Sequence, residues 1–222
     1  MKERVFIIGD VHGCYKTLCA LIEKLPNKYD EKIIFVGDLI DRGPSSAEVV
    51  ELIRNANYDV VLGNHEELMI EFLEIEEEYN NWWIKNGGDK AIHSYKQKYN
   101  ESYKDKMKND VEWMTNLPVY LEYNLKNDQN RKLVVSHSSI NNYWANPKLS
   151  KEDIIWNRKV MNPHNIIDVP EIFNVFGHTI FDSPIIRDSF ACIDTGAFKG
   201  FSGELTAIEF PSMKIYKQEY KD

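Results

Sequence analysis

The apolar positions fall into short runs separated by polar stretches, and their period changes from run to run. Arg4 to Ile8 is a β-branched and aromatic run that reads as a buried strand. Cys14, Leu18, Leu21, Ile22 and Leu25 recur at helical spacing until Pro26 stops the pattern. Ile33 to Val36 predicts a second strand. Ser45 and Glu48, three residues apart, predict a capping box that opens a helix with Val49, Val50, Leu52 and Ile53 on its apolar side. Val60 to Leu62 predicts a third strand, followed by a helix with the face Leu68, Phe72, Ile75, Tyr79. Strand and helix in alternation imply right-handed crossovers and a parallel sheet. The polar stretches that end the three strands are Gly9-Asp10-Val11-His12-Gly13, Gly37-Asp38-Leu39-Ile40-Asp41-Arg42-Gly43 and Gly63-Asn64-His65-Glu66. They therefore gather at the carboxyl ends of parallel neighbours, where open α/β sheets bind ligands.

Residues 80 to 130 are rich in Trp, Tyr, Lys and Asn with weak periodicity, and they predict a helical cap over one side of the site, with a helix near Asp110 to Leu117. Strands resume at Lys132 to Ser136, Phe173 to Phe176 and Phe190 to Ile193, which end in His137, Gly177-His178-Thr179 and Asp194-Thr195-Gly196. Leu205 to Phe210 and Met213 to Lys217 predict a closing hairpin around Pro211-Ser212. These later strands are too close together for βαβ units, so they predict a second, antiparallel or mixed sheet packed on the first. The elements read as α/β, a parallel sheet with a second sheet packed on it, and residues 1–222 read as one domain because no linker or repeat interrupts them.

Composition narrows the partners. Hydrophobic residues at 43% and charged residues at 28% are ordinary globular values, while a net charge of −8 excludes a general nucleic-acid or membrane-surface binder. An acidic protein that handles phosphate must concentrate positive charge locally, with metals or a few arginines. The apolar run Val5 to Ile8 is too short for a signal peptide or a span, so the expected setting is cytoplasmic. Cys14, Cys19 and Cys192 form no C-x-x-C pair and read as reduced, packed thiols, with oxidation of Cys14 near the site as the lesser alternative. Glu66, Glu67, Glu71, Glu74, Glu76, Glu77 and Glu78 read as a solvated helix face, and His93 and His164 as surface residues.

Taken singly, each polar residue at a strand end has a structural explanation, such as a cap, a turn or a satisfied histidine. Yet Asp10, His12, Asp38, Asn64, His137 and His178 all stand within two or three residues of a predicted strand terminus, and independent roles would rarely align so often. Two carboxylates, one amide oxygen and three imidazoles, with no thiolate, suit Mn²⁺, Fe or Zn²⁺. That is too many ligands for one open ion but right for two ions sharing a carboxylate, typically about 3.5–4 Å apart. Asp38, on the central segment, is the natural bridge.

The three polar motifs resemble the signatures of the metal-dependent serine/threonine protein phosphatases within the calcineurin-like metallophosphoesterases. The resemblance continues through His137, Trp156-Asn157-Arg158, Gly177-His178-Thr179 and Asp194-Thr195-Gly196. In size the chain is similar to the small bacteriophage-lambda-type and bacterial members. The resemblance implies an α/β calcineurin-like metallophosphoesterase fold, a central β-sandwich of two mixed sheets flanked by helices, with Asp10, His12 and Asp38 on one metal and Asp38, Asn64, His137 and His178 on the other, and Mn²⁺ expected first. It further implies that Arg42 and Arg158 hold the phosphate of a phosphoprotein or phosphopeptide, and that His65, paired with Asp41, protonates the leaving group. An aspartate partner would fix the tautomer and favour imidazolium. One departure is His137-Ser138-Ser139 where the family commonly has His-Ala-Gly. A serine-hydrolase reading of Ser136, Ser138 and Ser139 has against it the lack of a G-x-S-x-G elbow. Two rivals share the scaffold. Symmetrical dinucleoside tetraphosphate hydrolases usually lack an aspartate at the place of Asp41 and carry Asn-His-Asp in the third motif. A silent scaffold would have lost ligands or the acid.

Overall fold

The computed structural model describes residues 4–27, 31–74, 81–144, 148 and 150–222. Strand β1 (Val5–Ile8) is buried along its whole length because it is covered on both faces. Phe6 and Ile8 pack among helices with Leu18, Leu21, Val50 and Ile53, whereas Val5 and Ile7 pack into the space between two sheets. Double coverage is the reason the run is continuously apolar instead of alternating. β1 pairs in parallel with β2 (Lys32–Phe35), and β2 with β3 (Asp59–Val60), in a register that sets Ile8 beside Phe35 and Phe35 beside Val60. Helices α1 (Tyr15–Lys24) and α2 (Ser46–Asn55) make the crossovers, and α3 (Asn64–Glu74) follows β3. With its last residues in one row, the sheet sends its three polar loops out side by side, as the alternation predicts.

The cap begins with α4 (Asn81–Trp83), continues through a turn over Ile84–Gly88 that kinks at Gly87, where φ is 108°, and α5 (Asp89–Tyr99), and ends with α6 (Tyr103–Met114). It stops short of the predicted boundary. Tyr120–Lys126 is a strand, β4, whose Leu121, Tyr123 and Leu125 face the inter-sheet core. That period-2 alternation is the signal overlooked in an aromatic-rich stretch. β4 edges the second sheet beside β5 (Lys132–Ser136), followed by β6 (Ile172–Phe176), β8 (Phe190–Cys192) and β7 (Ile185–Ile186). The pairings are antiparallel at both edges and parallel in the middle, so the sheet is mixed. A short helix, α7 (Lys151–Ile155), packs Ile154 and Ile155 on its outer face with Val134 and Ile172.

The closing hairpin is present as β9 (Glu204–Phe210) and β10 (Lys214–Glu219), but it joins the first sheet, ordered β10-β9-β1-β2-β3. Phe210 stands opposite Val5 and Ala207 opposite Ile8. Without β9, buried β1 would present unpaired backbone groups on one side, a cost the hairpin removes. The two sheets then pack face to face through Val5, Ile7, Ile34, Ile208 and Phe210 against Leu133, Val135, Phe173 and Val175.

Two local expectations are corrected. Ser45 stands at the start of α2 without a side-chain cap bond, and Glu48 instead accepts from Ser94 Oγ of α5 at 3.2 Å. In α3, Glu71 and Glu74 are exposed but Glu66 and Glu67 are buried, so the acidic helix is not a uniform solvated face. Ile75, Glu76, Glu77, Glu78 and Tyr79 lie outside the described residues. His93 and His164 are exposed. Cys14 is packed, and burial pushes its thiol up to about 12, which disfavours the thiolate that oxidation needs. No helix among the described residues is long and apolar enough to cross a membrane.

Candidate metal centre

The strand-end loops are laced together by backbone bonds before any side chain acts. Val11 N and His12 N both donate to Asp38 O, at 3.0 and 2.9 Å, and Gly13 N donates to Leu39 O at 2.8 Å. Glu66 ties the second loop to the third: Oε2 accepts from Asp38 N at 2.8 Å and Gly63 N at 3.1 Å, while Oε1 accepts from Leu39 N at 2.8 Å. The approach needs a glycine, since a Cβ at Gly63 would lie 2.3 Å from Asp38 N. His12, Asp38, Asp41, Arg42 and His178 adopt φ of 45°, 49°, 73°, 64° and 66°. Left-handed backbone costs roughly 1–3 kcal/mol at a residue with a side chain and collects where surrounding structure enforces it. All five are residues singled out from the sequence.

Asp38 offers a different oxygen to each of two donor groups. Its Oδ1 is 3.3 Å from His137 Nε2, which in turn lies 2.8 Å from Asn64 Oδ1 and 3.2 Å from His178 Nδ1. Its Oδ2 is 3.6 Å from His12 Nε2 and 3.9 Å from His65 Nε2. The groups Asp38, His137, His178 and His12, Asp38, His65 are each compact enough to hold an ion. Asp10 stands outside both groups, and both its oxygens accept from His178 N, at 3.2 and 3.1 Å. It is nevertheless buried close enough to Asp38 and Asp194 for their charges to repel.

The donor set fits metals on its own chemistry. His137 Nδ1 and His12 Nδ1 face the carbonyls of Val36, at 2.7 Å, and Ile40, at 2.9 Å. A ring nitrogen that donates to a carbonyl leaves the other nitrogen bare. His137 Nε2 thus turns a lone pair toward Asn64 Oδ1 and Asp38 Oδ1. Burial pushes His137 down to about 4 and lowers His12 and His178 well below the usual imidazole range. Burial likewise raises Asp38 to about 7 and Asp10 well above the carboxylate range. Converging acceptors in a dry site are unfavourable by themselves, and a divalent cation among them reverses the balance.

Beside the donors stands a hydrogen-bonded pair. His65 Nδ1 is 2.6 Å from Asp41 Oδ2, and Asp41 is completely buried. Burial first, then the cationic or imidazole neighbours His12, Arg42, His137 and His178, hold His65 well below its usual range. Asp41 therefore orients the ring, but burial and then the neighbouring Glu66 raise its own carboxyl well above the usual range, and the imidazolium expected from the pairing is not favoured here. Arg42 Nη1 lies 2.7 Å from His12 Nε2, with its guanidinium 4.6 Å over the Phe198 ring. Arg158 Nη1 donates to His178 O at 3.3 Å. The His137-Ser138-Ser139 departure is accommodated: Asn157 Nδ2 donates to Ser138 Oγ at 2.7 Å and Ser139 O at 2.9 Å, so this loop holds the segment that carries Arg158. The sequence reading includes Glu66 in the third motif but puts its side chain on a solvated face, and it gives Trp83 and Phe198 no part in the site. Glu66 turns inward to the loop backbones, and Trp83 and Phe198 reach the site only through tertiary packing.

Loops of a two-sheet α/β sandwich that converge on a buried oxygen and nitrogen donor set are those of a metallophosphoesterase. The profile of the calcineurin-like phosphoesterases matches residues 3–187, and the chain belongs to that family, which uses a dinuclear divalent-metal site. It is 29% identical over 204 residues to serine/threonine-protein phosphatase 2 of Escherichia coli (strain K12), covering 88% of each chain. It is also 26% identical over 234 residues to the asymmetrical bis(5'-nucleosyl)-tetraphosphatase PrpE of Geobacillus thermodenitrificans (strain NG80-2), covering 93% of this chain and 90% of that one. A solved structure named as a candidate diadenosine tetraphosphatase matches with a TM-score of 0.72 at 19% identity, over 100% of this chain and 96% of that chain, a likeness of fold.

Proposed function

We propose that the chain is a metal-dependent phosphoprotein phosphatase that hydrolyses phosphoserine and phosphothreonine monoesters, with Asp10, His12, Asp38, Asn64, His137 and His178 as the ligands of two ions, Mn²⁺ first among them. The observation that carries the reading is the buried Asp41–His65 pair, 2.6 Å between Oδ2 and Nδ1, next to Arg42. A serine or threonine alkoxide leaves poorly unless it is protonated, so a positioned acid is worth most for such esters. Bound divalent ions would supply a water that ionises near neutral pH and would offset phosphoryl charge. Arg42 and Arg158 offer planar forks that match phosphate oxygens. His65 keeps Nδ1 toward Asp41 and gives a proton from Nε2 to the departing oxygen. A phosphate dianion beside the ring provides the countercharge for holding that proton, and the low basicity of the buried imidazole eases its release. A cytoplasmic setting and action as a single catalytic unit go with this reading, in keeping with three free thiols.

Dinucleoside polyphosphate hydrolysis is the second reading, supported by a PrpE relative at 26% identity against 29% for the phosphatase. The test compares kcat/KM for phosphoserine and phosphothreonine peptides with that for diadenosine tetraphosphate in one Mn²⁺ buffer, with product nucleotides resolved. A higher value for the peptides is expected. A strong preference for the dinucleotide would overturn the phosphatase reading, and equal or unequal nucleotide halves would then distinguish symmetrical from asymmetrical cleavage.

A further inference from the structure

One turn of the cap grips two consecutive residues of the second motif. Trp83 ends α4, and its indole N–H donates to both oxygens of Asp41, at 3.0 and 2.9 Å. The ring is fully buried, tilted against Phe72 at 4.9 Å, and so close to Gly88 that a Cβ there would lie 2.4 Å from the indole. Four residues on, at the kink that follows α4, Gly87 O accepts from Arg42 N at 3.2 Å. That carbonyl is presented by a backbone at φ 108°, and a Cβ at Gly87 would come 2.8 Å from Arg42 N. Here the turn holds Asp41 by its side chain and Arg42 by its backbone, both in left-handed conformation.

The indole bond differs from ordinary core satisfaction. A buried tryptophan needs any one acceptor, and a carbonyl would do. Trp83 instead donates to the carboxylate whose Oδ2 meets His65 Nδ1 at 2.6 Å. With both oxygens engaged, the carboxylate cannot rotate, and the imidazole plane that depends on it is set. The geometry points to Trp83 as a positioning residue that acts through Asp41 to aim His65 Nε2, which makes the cap part of the acid machinery. This inference rests on the reading of His65 as the acid.

The test replaces Trp83 with its benzothiophene isostere, which keeps the ring and deletes the N–H, with Trp83→Phe as the genetic counterpart. Each is assayed on a phosphoserine peptide and on nitrophenyl phosphate, alone and combined with His65→Asn, after metal content and unfolding midpoint are measured. Loss of a supporting partner behind an active group is commonly on the order of 10-fold in activity. We expect that loss in kcat for the peptide at unchanged KM, less than about 2-fold for nitrophenyl phosphate, whose leaving group needs little protonation, and no added loss in the His65→Asn background. Equal losses on both substrates, losses that add to His65→Asn, or no loss at all would overturn the inference. If His65→Asn alone lowers both substrates equally, the acid assignment falls and this inference falls with it. If His65→Asn shows the split and the Trp83 variants do not, only the inference fails.

Discussion

Asp38 presents Oδ1 to His137 and Oδ2 to His12 and His65, so one side chain serves both donor groups. Asparagine keeps the shape but removes the charge that both ions would share. Asp38→Asn is expected to bring metal content below that of the unaltered protein after desalting, read by elemental analysis. Two tightly held ions in the variant would remove Asp38 as the bridge. His65 has a different signature, because its Nδ1 is taken by Asp41 and it lies on the Asp38 Oδ2 side of the site. His65→Asn is expected to lower turnover of alkyl phosphates by roughly 10²–10⁴-fold, the worth of general acid catalysis, with a smaller loss for nitrophenyl phosphate. Metal content near normal in the same preparation would separate this effect from ligand loss.

Helix α1 leaves the first motif without a cap of its own, since Cys14 makes no side-chain cap bond. Asp222 supplies one from the far end of the chain: Oδ1 accepts from Lys16 N at 2.9 Å, and Oδ2 accepts from Thr17 N at 3.0 Å and Thr17 Oγ1 at 2.7 Å. Asp222→Ala is expected to cost about 0.5–2 kcal/mol, the usual worth of a cap, seen as a lower urea midpoint at unchanged slope. An unaltered midpoint would mean the helix start is satisfied by water. Elements were legible in the sequence where their own period declared them, as for β1, α1 and β5. Tyr120–Lys126 was missed because its short alternation follows directly on a Lys- and Asn-rich stretch with scattered Trp and Tyr and weak periodicity. The Ser45 and Glu48 capping box failed because Ser94, from a helix distant in sequence, takes up Glu48.

The whole molecule buries more ionisable groups around one point than an apolar core tolerates. Desolvation pushes Asp10, Asp38, Glu66 and Asp194 up and His12, His65, His137 and His178 down. Divalent metal binds only the assembled site, so it is expected to raise the unfolding midpoint. Stabilisation should approach about 2.7 kcal/mol when free metal is 100-fold above Kd. Exhaustive chelation should abolish hydrolysis and return the midpoint to its metal-free value, and undiminished activity after confirmed metal removal would overturn the two-metal reading. Family, strand ends and donor types followed from the sequence by itself, because strand period, helix period and motif spacing are properties of residues adjacent in the chain. Only the tertiary structure decided that β9 completes the first sheet, that Glu66 clamps two loops, and that Asp10 faces the His178 backbone. The same holds for Trp83, which reaches Asp41 across 42 residues, and Asp222, which reaches Thr17 across 205. Such pairings depend on which surfaces meet when the sheets close over a shared core, and no local pattern encodes them.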